Sequence, residues 1–139
     1  MALAVPICGE VRLLNMVLNT GSVNENPYLR LYTNSFDTAN LNTLGITSLT
    51  DVTSSAGAYG STAKLCAGSM WSVVSGTPSQ ASFAEQTFTF TASFGNVHGY
   101  YMVHSLTNIL LFAEKFTGGP YNIVNSGDAI KVTPVLTLA

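Results

Sequence analysis

Ala129-Ile-Lys-Val-Thr-Pro-Val-Leu-Thr-Leu138 alternates for ten residues, with Ile130, Val132, Leu136 and Leu138 on one side and Lys131, Thr133 and Thr137 on the other. Gln86-Thr-Phe-Thr-Phe-Thr-Ala92 follows the same rule, Phe88 and Phe90 opposing Thr87, Thr89 and Thr91. Side chains of a pleated strand project to opposite faces in turn, so each stretch lays one face on a core and offers the other to water or a partner. Outward from these two, strands are expected at Tyr28 to Thr33, Thr62 to Leu65, Met70 to Val74, Val97 to His104, Ile109 to Lys115 and Tyr121 to Val124. Turn chemistry separates them at Ser75-Gly-Thr-Pro-Ser79, Ser105-Leu-Thr-Asn108 and Asn125-Ser-Gly-Asp128, the last reading as a hairpin turn. Seven or eight short strands in this arrangement predict an all-β protein, an antiparallel β-sandwich or jelly roll.

One helix is expected, over residues 7–19, where Ile7, Val11, Leu14 and Leu18 recur on one helical face and Leu13 and Val17 widen it. Residues 34–60 carry short apolar pieces (Leu41, Leu44, Ile46, Leu49) among Asn, Ser and Thr, too little for a core of their own. They read as a surface excursion. The 139 residues therefore predict a single domain, 1–139, with an arm and short helix in residues 1–20.

Hydrophobic residues make up 47% of the chain and charged ones 9%, against roughly 25% charged in ordinary domains. The surface must be built from Ser, Thr, Asn and Gly, which suits a protein packed against neighbours. Formal charge is -2, and the basic residues Arg12, Arg30, Lys64, Lys115 and Lys131 are dispersed. A phosphate-binding surface needs them clustered, so nucleic acid is excluded as a partner, and an anionic membrane with it. The start, Met1 to Cys8, lacks the basic region and apolar length of a secretory signal, so synthesis without export is expected. Cys8 and Cys66 have no close pair to build a zinc site. They read as buried free thiols, a disulfide being the alternative.

No residue pattern points to catalysis, a metal or a cofactor. His98 and His104 would share a face of an unbroken strand, but about 20 Å apart. Glu114 and Lys115 point to opposite faces, Glu85 and Asp51 stand alone, and Gly118-Gly-Pro-Tyr121 lacks the Lys and helix of a phosphate loop. The tyrosines beside many Asn (Tyr28, Tyr32, Tyr59, Tyr100, Tyr101 and Tyr121) could stack on sugars or fill the core.

The pair 97–104 and 109–115 is apolar on both faces, one carrying Val97, Gly99, Tyr101 and Val103 and the other His98, Tyr100, Met102 and His104. Both must be covered, by the N-terminal helix or by another subunit. His98, Tyr100, Met102, Leu110 and Phe112 are accordingly candidates for an interface with another subunit, with Leu3 and Val5 of the apolar arm.

Residues 95–139 carry Gly99-Tyr100-Tyr101, Ala113-Glu-Lys-Phe116, Gly119-Pro120, Asn125-Ser-Gly-Asp128 and Thr133-Pro-Val-Leu-Thr-Leu138. This succession resembles the C-terminal half of small virion structural proteins of tailed bacteriophages. A looser likeness runs from Tyr59 to Trp71 and through Phe83-Ala-Glu-Gln-Thr-Phe-Thr-Phe90, while Asn34 to Ser55 is not covered. The resemblance implies a non-enzymatic capsid decoration (cement) protein on the virion surface, a homotrimer seated on the major capsid protein. The alternative it leaves is a tail-tip or fibre component binding host glycans.

Overall fold

The computed structural model describes residues 5–9, 26–35, 45–52, 63–67, 70–77, 79–105 and 107–138. The fold is all-β and antiparallel throughout, as the alternation predicts. In chain order the strands are β1 (Tyr28–Tyr32), β2 (Lys64–Leu65), β3 (Ser72–Val74), β4 (Ser79–Ser82), β5 (Gln86–Thr89), β6 (Gly95–Val97), β7 (Gly99–Val103), β8 (Leu110–Lys115), β9 (Tyr121–Ile123), β10 (Ala129–Val132) and β11 (Val135–Leu138). A four-stranded sheet runs β2-β1-β7-β8, and a second layer is pieced together from a three-stranded sheet, β11-β4-β3, and two ribbons, β10-β5 and β6-β9. Sandwich-like packing results. The main core takes Leu29, Leu31, Tyr100, Met102 and Phe112 from the first sheet, Phe88, Ile130 and Val132 from one ribbon, and Val97 and Ile123 from the other.

Two stretches that read as single strands are each cut in two. The alternating run 129–138 breaks at Thr133-Pro134, where β10, paired with β5, gives way to β11, paired with β4. Proline has no N–H for a ladder, so it marks a change of sheet. Its carbonyl is still used, accepting from Phe83 N–H at 3.0 Å. The run 97–104 breaks at His98, between β6 on the β9 ribbon and β7 in the four-stranded sheet. Consequently Val97 joins the main core while Tyr101 and Val103 face the other way, contrary to the shared face that unbroken alternation predicts. The turn Asn125–Asp128 likewise joins strands with different partners, β9 with β6 and β10 with β5, and closes no paired hairpin.

A bulge between Met102 and Val103 shifts the β7–β8 register, so that Met102 opposes Phe112 and Val103 opposes Leu110. Leu111 and Phe112 both enter the main core as a result, and Leu110 and Ala113 turn to the opposite face. That face forms a second core with Tyr32, Tyr101 and Val103, covered by Ile46 and Leu49. Ile46 opens the short 3-10 turn Ile46–Ser48 and Leu49 caps it, in the segment read as a surface excursion.

Of the expected helix, Ile7–Gly9 are helical; residues 10–19 lie outside the described residues. The helix start packs on the beginning of β8, where a Cβ on Gly9 would collide with the Leu110 and Leu111 carbonyl oxygens.

Candidate functional site

The polar groups of the interior converge on the end of β8. Glu114 is buried on the main-core side of the four-stranded sheet, and its Oε2 accepts from the Tyr100 hydroxyl. Its backbone carbonyl accepts from the Tyr32 hydroxyl at 3.1 Å. The Tyr32 ring reaches that carbonyl because position 99 is glycine: a Cβ there would overlap both the Glu114 oxygen and the Tyr32 hydroxyl. Burial, then the hydrogen bond to Glu114, pushes the Tyr100 phenol far above its ordinary range, and donation from the Val135 N–H opposes the shift. Burial and the Glu114 charge hold Tyr32 protonated in the same way. A hollow of about 240 Å³ opens beside this pair, with Phe116, Lys131, Thr133 and Val135 in its wall.

On the other face of the sheet, Arg30 Nη1 lies 3.4 Å from Asp51 Oδ2. Tyr101 is pushed up by burial and by the Asp51 charge. Glu85 pairs with Lys131 across 3.3 Å at the surface. Both carboxylates stand alone in sequence and acquire their partners through strand pairing, β10 against β5 in the second case.

A groove of about 470 Å³ runs between β9 and β10, lined by Tyr121, Asn122, Ile123, Asp128, Ile130 and Lys131. Tyr121 is 44% exposed, and its ring packs tilted against Phe116, with centroids 5.2 Å apart. The turn at its end is rigid: Asp128 Oδ2 accepts the Asn125 and Val124 N–H groups, each at 2.9 Å, which lowers the carboxyl below its usual range. Gly127 supplies the left-handed residue, φ +97°, that this turn needs.

The residues put forward for an interface are mostly internal. Tyr100, Met102, Leu110 and Phe112 are buried within this one chain, because the 3-10 segment and the second layer cover the two faces that seemed to need a partner. Val5 packs half-buried against the main core, and Leu3, with the rest of the expected arm before it, lies outside the described residues. His98 is half-buried at the crossover, its N–H donating to the Tyr32 carbonyl at 2.9 Å. His104 is buried at the far end of β7, where Nδ1 accepts from the Thr107 N–H at 3.1 Å and shapes the turn to β8. The two imidazoles are not brought together. Among the described residues no cluster of three or more His, Cys, Asp or Glu is arranged to hold a metal ion. Cys66 is buried and its thiol is pushed up to about 11 by that burial. Cys8, expected to be buried, is exposed, its thiol 3.6 Å from the Leu110 carbonyl oxygen, and neither thiol is in a disulfide.

Exposed apolar surface concentrates elsewhere. Leu65, Met70, Val73 and Val74 are all exposed within ten residues of one another. They follow the outer edges of two sheets, since β2 closes the four-stranded sheet and β3 the three-stranded one. The link between them is stitched by Met70 N–H to the Ala67 carbonyl, 3.0 Å, and by Trp71 Nε1 to the Cys66 carbonyl, 3.3 Å. Its sequence signal is the absence of any Asp, Glu, Lys or Arg between Lys64 and Glu85. No protein-family model, curated protein or solved structure matches the chain.

Proposed function

We propose that this chain is a non-enzymatic virion structural protein of a tailed bacteriophage, a capsid decoration protein that assembles with itself and seats on the major capsid protein. The observation that carries the reading is the exposed, uncharged apolar border formed by Leu65, Met70, Val73 and Val74, on a body whose four-stranded sheet is covered on both faces. Such an edge recruits protein rather than a small substrate. The residues that resemble phage structural proteins support it from a second direction. Gly99, Tyr100 and Glu114 form the buried network, Asp128 pins a turn, and Val135 donates to Tyr100. They are framework residues, and what they specify is a shape. A protein that binds only the assembled lattice stabilises it by mass action, with no conformational machinery. Heads assembled without the chain should lose their DNA at lower temperature and on dilution into low salt, and added protein should restore them; heads of equal resistance would end the stabilising role.

A second reading, a tail component that binds host glycans, is favoured by the Tyr121 groove. It pairs an exposed ring with Asn122, Asp128 and Lys131, the mixture of flat apolar and polar groups that a sugar ring requires. Retention of the purified chain on a glycan array, abolished by Tyr121→Ala, would select it over the capsid reading.

A further inference from the structure

The edge at β3 carries an assignment of its own partner. A strand at the border of a sheet leaves one row of N–H and C=O groups unpaired, and natural proteins blunt such borders with lysine, proline, bulges or a covering segment. The β8 border is blunted in this way, the helix start lying against the Leu110 and Leu111 carbonyls. The β3 border is not. Ser72, Val73 and Val74 are all exposed, the two valines by 74% and 62%, and the strand contains neither proline nor bulge. The nearest lysine, Lys64 on β2, is turned inward, its Nζ 5.6 Å from the centroid of the Phe88 ring.

We propose that the β3 edge is the contact between two copies of this chain, with β3 of each running antiparallel to the other about a two-fold axis at Val73. The occupant follows from charge. A two-fold contact lays a surface against itself, so a charge near the axis meets its own like charge, which opposes association. From Leu65 to Ala84 this chain carries no Asp, Glu, Lys or Arg, which removes that opposition for a second copy and offers nothing to attract a charged partner. Antiparallel pairing sets Val73 against the second copy's Val73 and Ser72 against its Val74, continuing the three-stranded sheet to six strands. Met70, exposed just before β3, extends the apolar contact. A two-fold contact makes dimers or even-numbered rings, where the phage resemblance implies a trimer. This pairing deepens the assembly reading and rests on it for its biological setting, but it forms in solution without any particle, so the two fail separately.

The test is the mass of the full purified chain by light scattering after size exclusion, together with cross-linking. The wild type is expected at twice the chain mass, and Val73→Lys at the chain mass with an unchanged far-UV circular dichroism spectrum. Val124→Lys, the same change at an exposed apolar residue outside β3, should keep the dimer. Directly opposed residues of antiparallel strands lie within disulfide reach, so Val73→Cys in a Cys8→Ser background should cross-link to dimer under mild oxidation, and Val124→Cys should not. A monomeric wild type, a trimer, or a Val73→Lys protein of wild-type mass would each overturn the pairing. So would equal cross-linking at both positions.

Discussion

Glu114 organises the polar interior, with Tyr100 on its carboxylate and Tyr32 on its carbonyl. Removing one partner of a buried hydrogen bond leaves the other group desolvated and unsatisfied, which costs about 1–3 kcal/mol. Tyr100→Phe should therefore lower the unfolding free energy by about that amount in urea, while Tyr121→Phe, at an exposed ring, should change it by less than about 0.5 kcal/mol. The buried phenols also fix the response to alkali. Tyr32, Tyr100 and Tyr101 have folded pKa values raised above the unfolded value of 10.0, so in that range the unfolded chain releases protons that the folded one keeps. Their contribution is intact below pH 10 and is lost as pH rises. Cys66 adds the same effect earlier, between 9.0 and about 11. Stability should be flat to about pH 9 and then fall, each fully held phenol contributing about 1.4 kcal/mol per pH unit. Tyrosinate absorbance should rise for these three rings only together with unfolding. A smooth titration of all the tyrosines near pH 10 in folded protein would contradict the burial.

The β7–β8 pair tests whether the sheet faces are closed by this chain or by another. Met102 and Phe112 oppose each other inside the main core. Met102→Ala should remove about 2–5 kcal/mol of unfolding free energy, and it should do so at protein concentrations where the chain is monomeric. A variant that only dissociated an oligomer would place Met102 on a seam after all. Gly99→Ala should be worse tolerated, since its Cβ has to displace the Glu114 carbonyl or the Tyr32 ring; loss of soluble folded protein is the expected outcome. At this scale the sequence is partly legible. Alternation locates β5 and β10, each with one face on a core, and near-continuous apolar runs locate β7 and β8, which are buried on both faces. Alternation fails for Ser79–Ser82, whose Ser-Gln-Ala-Ser has little intrinsic strand preference and is held by β3 and β11 on either side. It also runs through His98 and Thr133, where periodicity continues but the ladder partner changes. Period records which side faces a core, and here both halves of each run face one, so a change of sheet leaves little trace. The cover on the second face was unreadable for a related reason: Ile46 and Leu49 sit in a polar segment with no period at all.

As a whole molecule the protein presents a weakly charged body with an exposed apolar border at β3. Seven acidic and five basic residues in 139 give little electrostatic reason for copies to stay apart. The Arg30–Asp51 and Glu85–Lys131 pairs neutralise part of what there is. Association should accordingly depend little on salt, and the dimer fraction should change less than about threefold between 50 mM and 500 mM salt, since apolar contact and ladder hydrogen bonds are screened far less than exposed charges. The candidate site was less visible in the sequence than the fold. Tyr100, Met102, Leu110 and Phe112, chosen as interface residues for lying on two-sided strands, are core, whereas Leu65, Met70, Val73 and Val74 are exposed, β3 having no strand on its outer side among the described residues. The central claim is that this edge serves a protein of the phage head. Immunogold labelling of intact particles, with antibody raised against the chain, tests it most directly. Regular label over the head is the predicted result; label confined to the tail, or on no particle, would contradict it.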